Sequence, residues 1–180
     1  MKKKRGVFMA DNELVDIVDE NNEVIKTVFR KEMRQKHLPH RACYIAYCDR
    51  QNRFLIEIRT LSKDYAPGLL DACIGGVIES GEDFLEAARR ELLEEVGIDG
   101  NKIDFYDLGF AKIPSGDMFL YGYLCFAKGD AVTVRQESEV SGILYLKEDE
   151  VLKLADCCVS DSLYAFKKIL EKAKEQGYYK

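Results

Sequence analysis

Glu91, Glu94 and Glu95 stand in the run Glu91-Leu92-Leu93-Glu94-Glu95. On a helix that spacing brings the carboxylates to one side, within about one turn. Like charges three and four apart repel by roughly a few tenths of a kcal/mol per pair, and no lysine lies among them to compensate. Such a face is explained by a divalent cation. Mg²⁺ takes hard oxygen ligands in octahedral geometry and keeps several of its waters, so it suits carboxylates better than the thiols and imidazoles elsewhere in the chain. A cation held there can neutralise nearby negative charge and make a bound water more acidic. The competing reading is a solvated acidic face. The glycines on either side weigh against it, because they stand where a turn entry and a helix stop are needed.

The helix that must carry these residues has its own signals. Ser80 is the expected cap, with Asp83 three residues on completing a capping-box pattern. Gly97 suits the left-handed residue that ends a helix, and Ile98 supplies the apolar contact that often follows. Leu85, Ala88, Leu92 and Val96 form an apolar stripe for the core. Ala87 falls in the acidic sector, where its small size leaves room for a ligand. Glu82, Glu86, Arg90 and Glu94 recur at four-residue steps, which lets Arg90 bridge two carboxylates.

The stretch from Gly76 to Ile98 resembles the Nudix box, Gly-x5-Glu-x7-Arg-Glu-Leu-x-Glu-Glu-x-Gly-Ile. It matches at every specified position: Gly76, Glu82, Arg90, Glu91, Leu92, Glu94, Glu95, Gly97 and Ile98. Nudix family members are pyrophosphohydrolases, which cleave a diphosphate joined to a further group. The resemblance implies Mg²⁺, with Mn²⁺ as an alternative, on Glu91, Glu94 and Glu95, and a further ligand from the carbonyl of Gly75 or Gly76. It also implies that Arg90 orients Glu91, while Glu82 is a supporting charge at the helix start. Family members often take the general base from a loop outside the box. Glu139 is the first choice for that role here and Glu137 the second. Arg59 and Lys63, just before the Pro67-Gly68 turn, are the candidates for phosphate contacts. Phe119 and Tyr121 are candidate pocket walls, with packing as the plainer explanation.

Beyond the box, Leu38-Pro39-His40-Arg41-Ala42 and Ala66-Pro67-Gly68 resemble the branch that includes type I isopentenyl-diphosphate isomerase. That enzyme needs a cysteine, a glutamate and a histidine-rich metal site. Its cysteine position falls here on Gly75, a metal histidine on Val77, and its glutamates on Phe119 and Tyr121. Cys73 lies two residues away, about 7 Å along a strand, and of the metal histidines His40 alone matches. The retained carboxylates favour a hydrolase on an isomerase-like frame. The alternatives are the isomerase itself and a non-catalytic nucleotide-binding Nudix domain.

The surrounding chain reads as a scaffold for this site. Expected elements are a hairpin over residues 14–29, a short helix over Arg30 to Lys36, and strands over Ala42 to Cys48 and Arg53 to Arg59. A strand from Leu70 to Ile78 leads into the box. Strands over Ile103 to Ile113, Met118 to Phe126 and Ile143 to Leu146 follow, then a short helix over Lys147 to Leu154. A last helix over Ser160 to Lys174, capped by Ser160 or Asp161, has a core face of Leu163, Phe166, Ile169 and Leu170. The pattern gives one domain over residues 1–180, an α/β Nudix-fold α/β/α sandwich with a central mixed sheet and an N-terminal hairpin. Residues 1–13 are expected to be a flexible lead-in.

With 180 residues, 47% hydrophobic and 33% charged, the composition is that of a soluble globular protein. A net charge of −5 argues against a broad basic surface for a nucleic-acid polymer. No run is apolar and long enough to span a bilayer, and the basic start lacks a signal-peptide core, so a cytoplasmic location is expected. The six cysteines show no Cys-x-x-Cys spacing and read as reduced core residues. The expected partner is a small-molecule diphosphate. Oligomeric state stays open, with a homodimer as one option.

Overall fold

Two of the most apolar strands pair at the centre of the sheet. β3 (Arg41–Cys48) and β7 (Met118–Lys128) run parallel, in register from Arg41 opposite Tyr121 to Cys48 opposite Lys128. Both are largely buried on two faces, as a parallel pair covered by helices requires. β6 (Asp104–Ser115) lies antiparallel on the outer side of β7, joined to it by a tight turn in which Gly116 has φ 60°. The computed structural model describes residues 12–63 and 65–180.

β4 (Phe54–Arg59) touches β3 through the pair Cys48–Phe54 and then diverges, held on its far side by β8 (Val140–Leu146). The chain after residue 69 enters the gap. β5 (Leu70–Asp71) pairs with Ile58 and Glu57 of β4, and Ile74 and Val77 then bridge to Ile45 and Ala42 of β3. The strand expected from Leu70 to Ile78 is therefore split, because this segment is handed from one neighbour to the other. Gly75 and Gly76 come to lie at that handover.

The order β5-β4-β3-β7-β6, with β8 on β4, makes one mixed six-stranded sheet. α2 (Phe84–Val96) covers one face, packing Ala88, Leu92 and Val96 on Cys43, Ile45, Tyr47, Leu55 and Ile74. α4 (Ser160–Glu175) covers the other, with Leu163, Phe166, Ile169 and Leu170 against Tyr44, Ala46, Phe54 and Leu124. A short helix α3 (Glu148–Lys153) precedes α4. Outside the sheet, β1 (Leu14–Val18) and β2 (Val24–Phe29) form the expected hairpin, followed by α1 (Arg30–Gln35). This is the α/β Nudix fold with a mixed central sheet and an N-terminal hairpin. The expected flexible lead-in falls mostly on residues 1–11, outside the described ones. Glu13 is described, and its carboxylate pairs with Arg30 at 2.6 Å.

Several local expectations need correction. Ala87 is fully buried in the α2 core rather than lining the acidic sector. Val159 takes the cap position of α4 without a side-chain bond. Asp161 is instead buried, accepting hydrogen bonds from Tyr44 Oη at 2.8 Å and Tyr65 Oη at 2.9 Å. Five cysteines are buried and free as expected, but Cys157 is exposed. Among the described residues no helix is long and apolar enough to cross a membrane.

Candidate active site

α2 begins later than its sequence signals suggest. The cap is Asp83, whose carboxylate accepts from the backbone N–H of Leu85 at 3.0 Å and Glu86 at 3.1 Å. Gly81, at φ 78°, turns the chain just before it and leaves Ser80 outside the helix. Glu82 therefore sits in the entry turn, where its Oε2 accepts from Glu79 N at 3.2 Å. At the far end Gly97 adopts φ 72° as expected, and Ile98 N reaches Leu92 O. Two orphan carbonyls of the last turn are satisfied from another loop: Val134 N donates to Val96 O at 2.8 Å and Gln136 N to Glu95 O at 2.7 Å. That pins the loop carrying Glu139 to the end of α2.

The carboxylates differ sharply in setting. The side chains of Glu91 and Glu95 are 12% and 6% exposed, and that of Glu94 is 47% exposed. Arg90 forks onto Glu82, Nε to Oε1 at 2.7 Å and Nη2 to Oε2 at 2.9 Å. Its Nη1 then bonds Glu91 Oε1 at 2.7 Å and Glu94 Oε2 at 3.3 Å. Burial disfavours the Arg90 charge, but the bonds to Glu82 and the field of Glu91 outweigh it and raise its pKa. Burial also raises the pKa of Glu91, against the pull of Arg90.

The glycine turn is shaped around these groups. A Cβ on Gly76 would lie 2.7 Å from Glu91 Oε1, and one on Gly75 would lie 2.0 Å from Cys43 O. Gly75 N donates to Glu95 Oε2 at 3.2 Å. Gly76 O accepts from Cys43 N at 2.9 Å and from Cys43 Sγ at 3.6 Å. The Gly76 carbonyl is thus already engaged in holding the turn to β3.

Lys63 stands opposite, with its ammonium 3.3 Å from Glu95 Oε1 and 3.0 Å from Glu139 Oε2. Glu139 is 45% exposed, and its backbone is fixed by Thr60 N donating to Glu139 O at 3.1 Å. Arg59 does not present its guanidinium freely. It donates to Asp71 Oδ2 at 2.6 Å and to the Tyr65 and Ala66 carbonyls, so it builds the loop on which Lys63 sits. Burial, with the fields of Glu91, Glu139 and Asp71, pushes Glu95 up to about 8 despite Lys63. Glu137 lies on the solvent side, 84% exposed beside Arg135. Phe119 and Tyr121 lie edge to face at 5.6 Å. Phe119 lines an open cleft of about 410 Å³ with Lys112, Pro114 and Met118, and none of the α2 carboxylates lines it.

One further acid belongs to this cluster and is absent from the sequence-derived set. Glu57 on β4 is 2% exposed, and its Oε1 is buried with no hydrogen-bond partner. Burial raises its pKa well above the usual range, and the carboxylates of Glu95 and Asp71 raise it further. Its signal in the sequence is parity: Leu55, Glu57 and Arg59 alternate along one face of the strand, and Leu55 packs on the α2 side.

Among the described residues, no three His, Cys, Asp or Glu side chains converge as a ready metal cage. Arg90 and Lys63 draw the carboxylates toward themselves instead. The donor set nonetheless fits a hard divalent cation. Glu57, Glu91 and Glu95 are buried acids, and Glu57 Oε1 lacks any donor.

A NUDIX domain family model matches residues 38–163. The chain belongs to the Nudix family. It is 40% identical over 157 residues to the uncharacterized Nudix hydrolase YfcD of Shigella flexneri, covering 87% of this chain and 86% of that one. An uncharacterized Nudix hydrolase of Yersinia pestis is 39% identical over 168 residues, covering 93% and 91%. Among solved structures, DR0079 from Deinococcus radiodurans superposes with a TM-score of 0.75 at 24% identity, over 87% of this chain and 99% of that one. The Nudix protein described here is therefore a pyrophosphohydrolase-type enzyme for diphosphate-containing small molecules. Nudix proteins are often Mg²⁺-dependent, which agrees with the hard, acidic donor set on α2.

Proposed function

We propose that this Nudix protein hydrolyses the diphosphate linkage of a nucleoside diphosphate derivative or a related compound, with Glu91, Glu94, Glu95 and the carbonyl of Gly75 holding Mg²⁺ or Mn²⁺. The carbonyl of Gly76, which accepts from Cys43 N and keeps a second lone pair, is the other candidate for this position. The supporting observation is the buried pair Glu91 and Glu95, set against a glycine turn where a methyl group on Gly76 would displace the Glu91 carboxylate. A bound cation supplies neutralisation of the phosphate oxygens and a more acidic water. The remaining work falls to the chain. Arg90, clamped by Glu82, fixes the Glu91 carboxylate against the turn. Lys63 offers an ammonium at the mouth of the site, where a phosphate oxygen can replace one of its carboxylate partners. Arg59 holds the Lys63 loop. Glu139, exposed on a loop anchored to α2, takes the proton of the attacking water as general base.

The frame we assign is that of the isopentenyl-diphosphate-isomerase-like branch, but the chemistry is hydrolysis. Cys73, the thiol nearest the isomerase position, is buried in the α4-side core with its Sγ 3.6 Å from Ser162 O, and burial pushes its pKa well up. His40 is also buried, with Nδ1 2.8 Å from Leu38 O, and desolvation lowers it to about 4. Five buried free thiols and one exposed one suit a reducing compartment, and we assign the cytoplasm. The test is a panel of nucleoside and prenyl diphosphates incubated with Mg²⁺ and followed by ³¹P NMR. Phosphate-containing cleavage products support hydrolysis. Isomerised dimethylallyl diphosphate, or tight binding without any product, contradicts it.

A further inference from the structure

We infer that Glu57 is an additional ligand of the divalent cation, contributing its buried Oε1 on the Glu95 side of the site. This rests on the metal site proposed above and extends it to a strand outside the Nudix box. A carboxylate oxygen taken out of water with no donor is costly, so its persistence in β4 calls for a partner of opposite charge. The strand register fixes where the side chain points. Glu57 lies opposite Asp71 on β5 and Ile143 on β8. Ile143 and Leu55, two residues back along β4, both pack in the α2-side core, so Glu57 faces the helix that carries Glu91 and Glu95.

The nearby side-chain cations are engaged elsewhere. Lys63 is bonded between Glu95 and Glu139, and Arg59 is bonded to Asp71 and two carbonyls. Glu57 is left facing further acids with an oxygen free to ligate. A hard divalent ion shared with Glu95 satisfies that oxygen and offsets the crowding of like charges in one step. A buried carboxyl that merely holds a proton is the opposing account.

The experiment is titration of the metal-depleted full chain with Mn²⁺, with free Mn²⁺ read by EPR. It is run on the wild type, Glu57→Gln, Glu57→Leu and Glu91→Gln, with thermal midpoints taken with and without the ion. Glu57→Gln keeps shape and Glu57→Leu removes every ligating oxygen, so one covers for the other should either fold poorly. The expected result is at least about tenfold weaker Mn²⁺ binding in both Glu57 variants. Their midpoints without metal should be unchanged or higher, and the rise caused by Mn²⁺ smaller than in the wild type. Wild-type affinity in the Glu57 variants, with affinity lost in Glu91→Gln, overturns the role of Glu57 alone. Absence of Mn²⁺ binding by the wild type, or full binding by Glu91→Gln, overturns the metal site itself and Glu57 with it.

Discussion

Gly76→Ala separates the site from the scaffold. The added methyl would come 2.7 Å from Glu91 Oε1 and 2.8 Å from Glu91 Cδ, where ordinary contact begins at 3.4 Å. The carboxylate must therefore retreat by about 0.7 Å (3.4 less 2.7). What retreats is the far end of a flexible side chain, so the stability loss should stay within about 1 kcal/mol. The catalytic loss should be much larger, since a misplacement near 1 Å can cost about 100-fold in rate. Gly75→Ala is the contrasting case. There the methyl would meet the Cys43 carbonyl at 2.0 Å, so backbone must move and the fold should suffer first. The assay pairs kcat on any cleaved diphosphate with urea-unfolding midpoints for both variants. A Gly76→Ala enzyme with wild-type kcat, or one whose activity falls only in step with its stability, refutes the placement of Glu91 against the turn.

Other outcomes follow from the same geometry. Arg90→Met removes the fork onto Glu82 and the bond to Glu91 and should lower stability by about 3 kcal/mol in denaturant titrations. Arg90→Lys should recover only part of it, since an ammonium cannot reproduce the fork onto Glu82. Glu139→Gln should cut kcat about 100-fold or more while calorimetry finds Mn²⁺ affinity nearly unchanged; full turnover removes it from the mechanism. Glu95, raised from 4.5 to about 8, sets a pH dependence in the metal-free protein. Between those values the folded chain holds a proton that the unfolded chain releases. Its contribution is thus complete below 4.5 and lost as pH rises through about 8. Urea midpoints should fall over that range and fall less in Glu95→Gln. Equal slopes in the two proteins would remove Glu95 as the cause.

Much of the scaffold is legible in the sequence because it rests on local periodicity. The stripe Leu163, Phe166, Ile169 and Leu170 is wholly buried on α4, and the 14–29 hairpin forms where its turn signals place it. Misplaced features depend on tertiary context. Ser80 has the right chemistry for a cap, but the Gly81 turn gives the position to Asp83. Asp161 reads as a cap and is drawn instead into hydrogen bonds with Tyr44 and Tyr65, distant in sequence. The 70–78 run reads as one strand because nothing local reveals that β3 and β4 diverge to receive it. The box identifies Arg90, Glu91 and Glu95, but not that Arg59 is spent on its own loop or that Glu57 is buried among the acids. Both follow from which strands are neighbours, and a single sequence does not spell that out.

The decisive measurement is Mn²⁺ binding and phosphate release compared between the wild type and the Glu91→Gln, Glu94→Gln and Glu95→Gln variants, with folding checked by circular dichroism. If the α2 carboxylates grip the ion that makes the diphosphate cleavable, Glu91→Gln and Glu95→Gln should stay folded and lose both binding and release. The exposed Glu94 should lose less. Folded Glu91 and Glu95 variants that bind the ion and cleave at wild-type rates would show that the acidic face of α2 is not the catalytic centre.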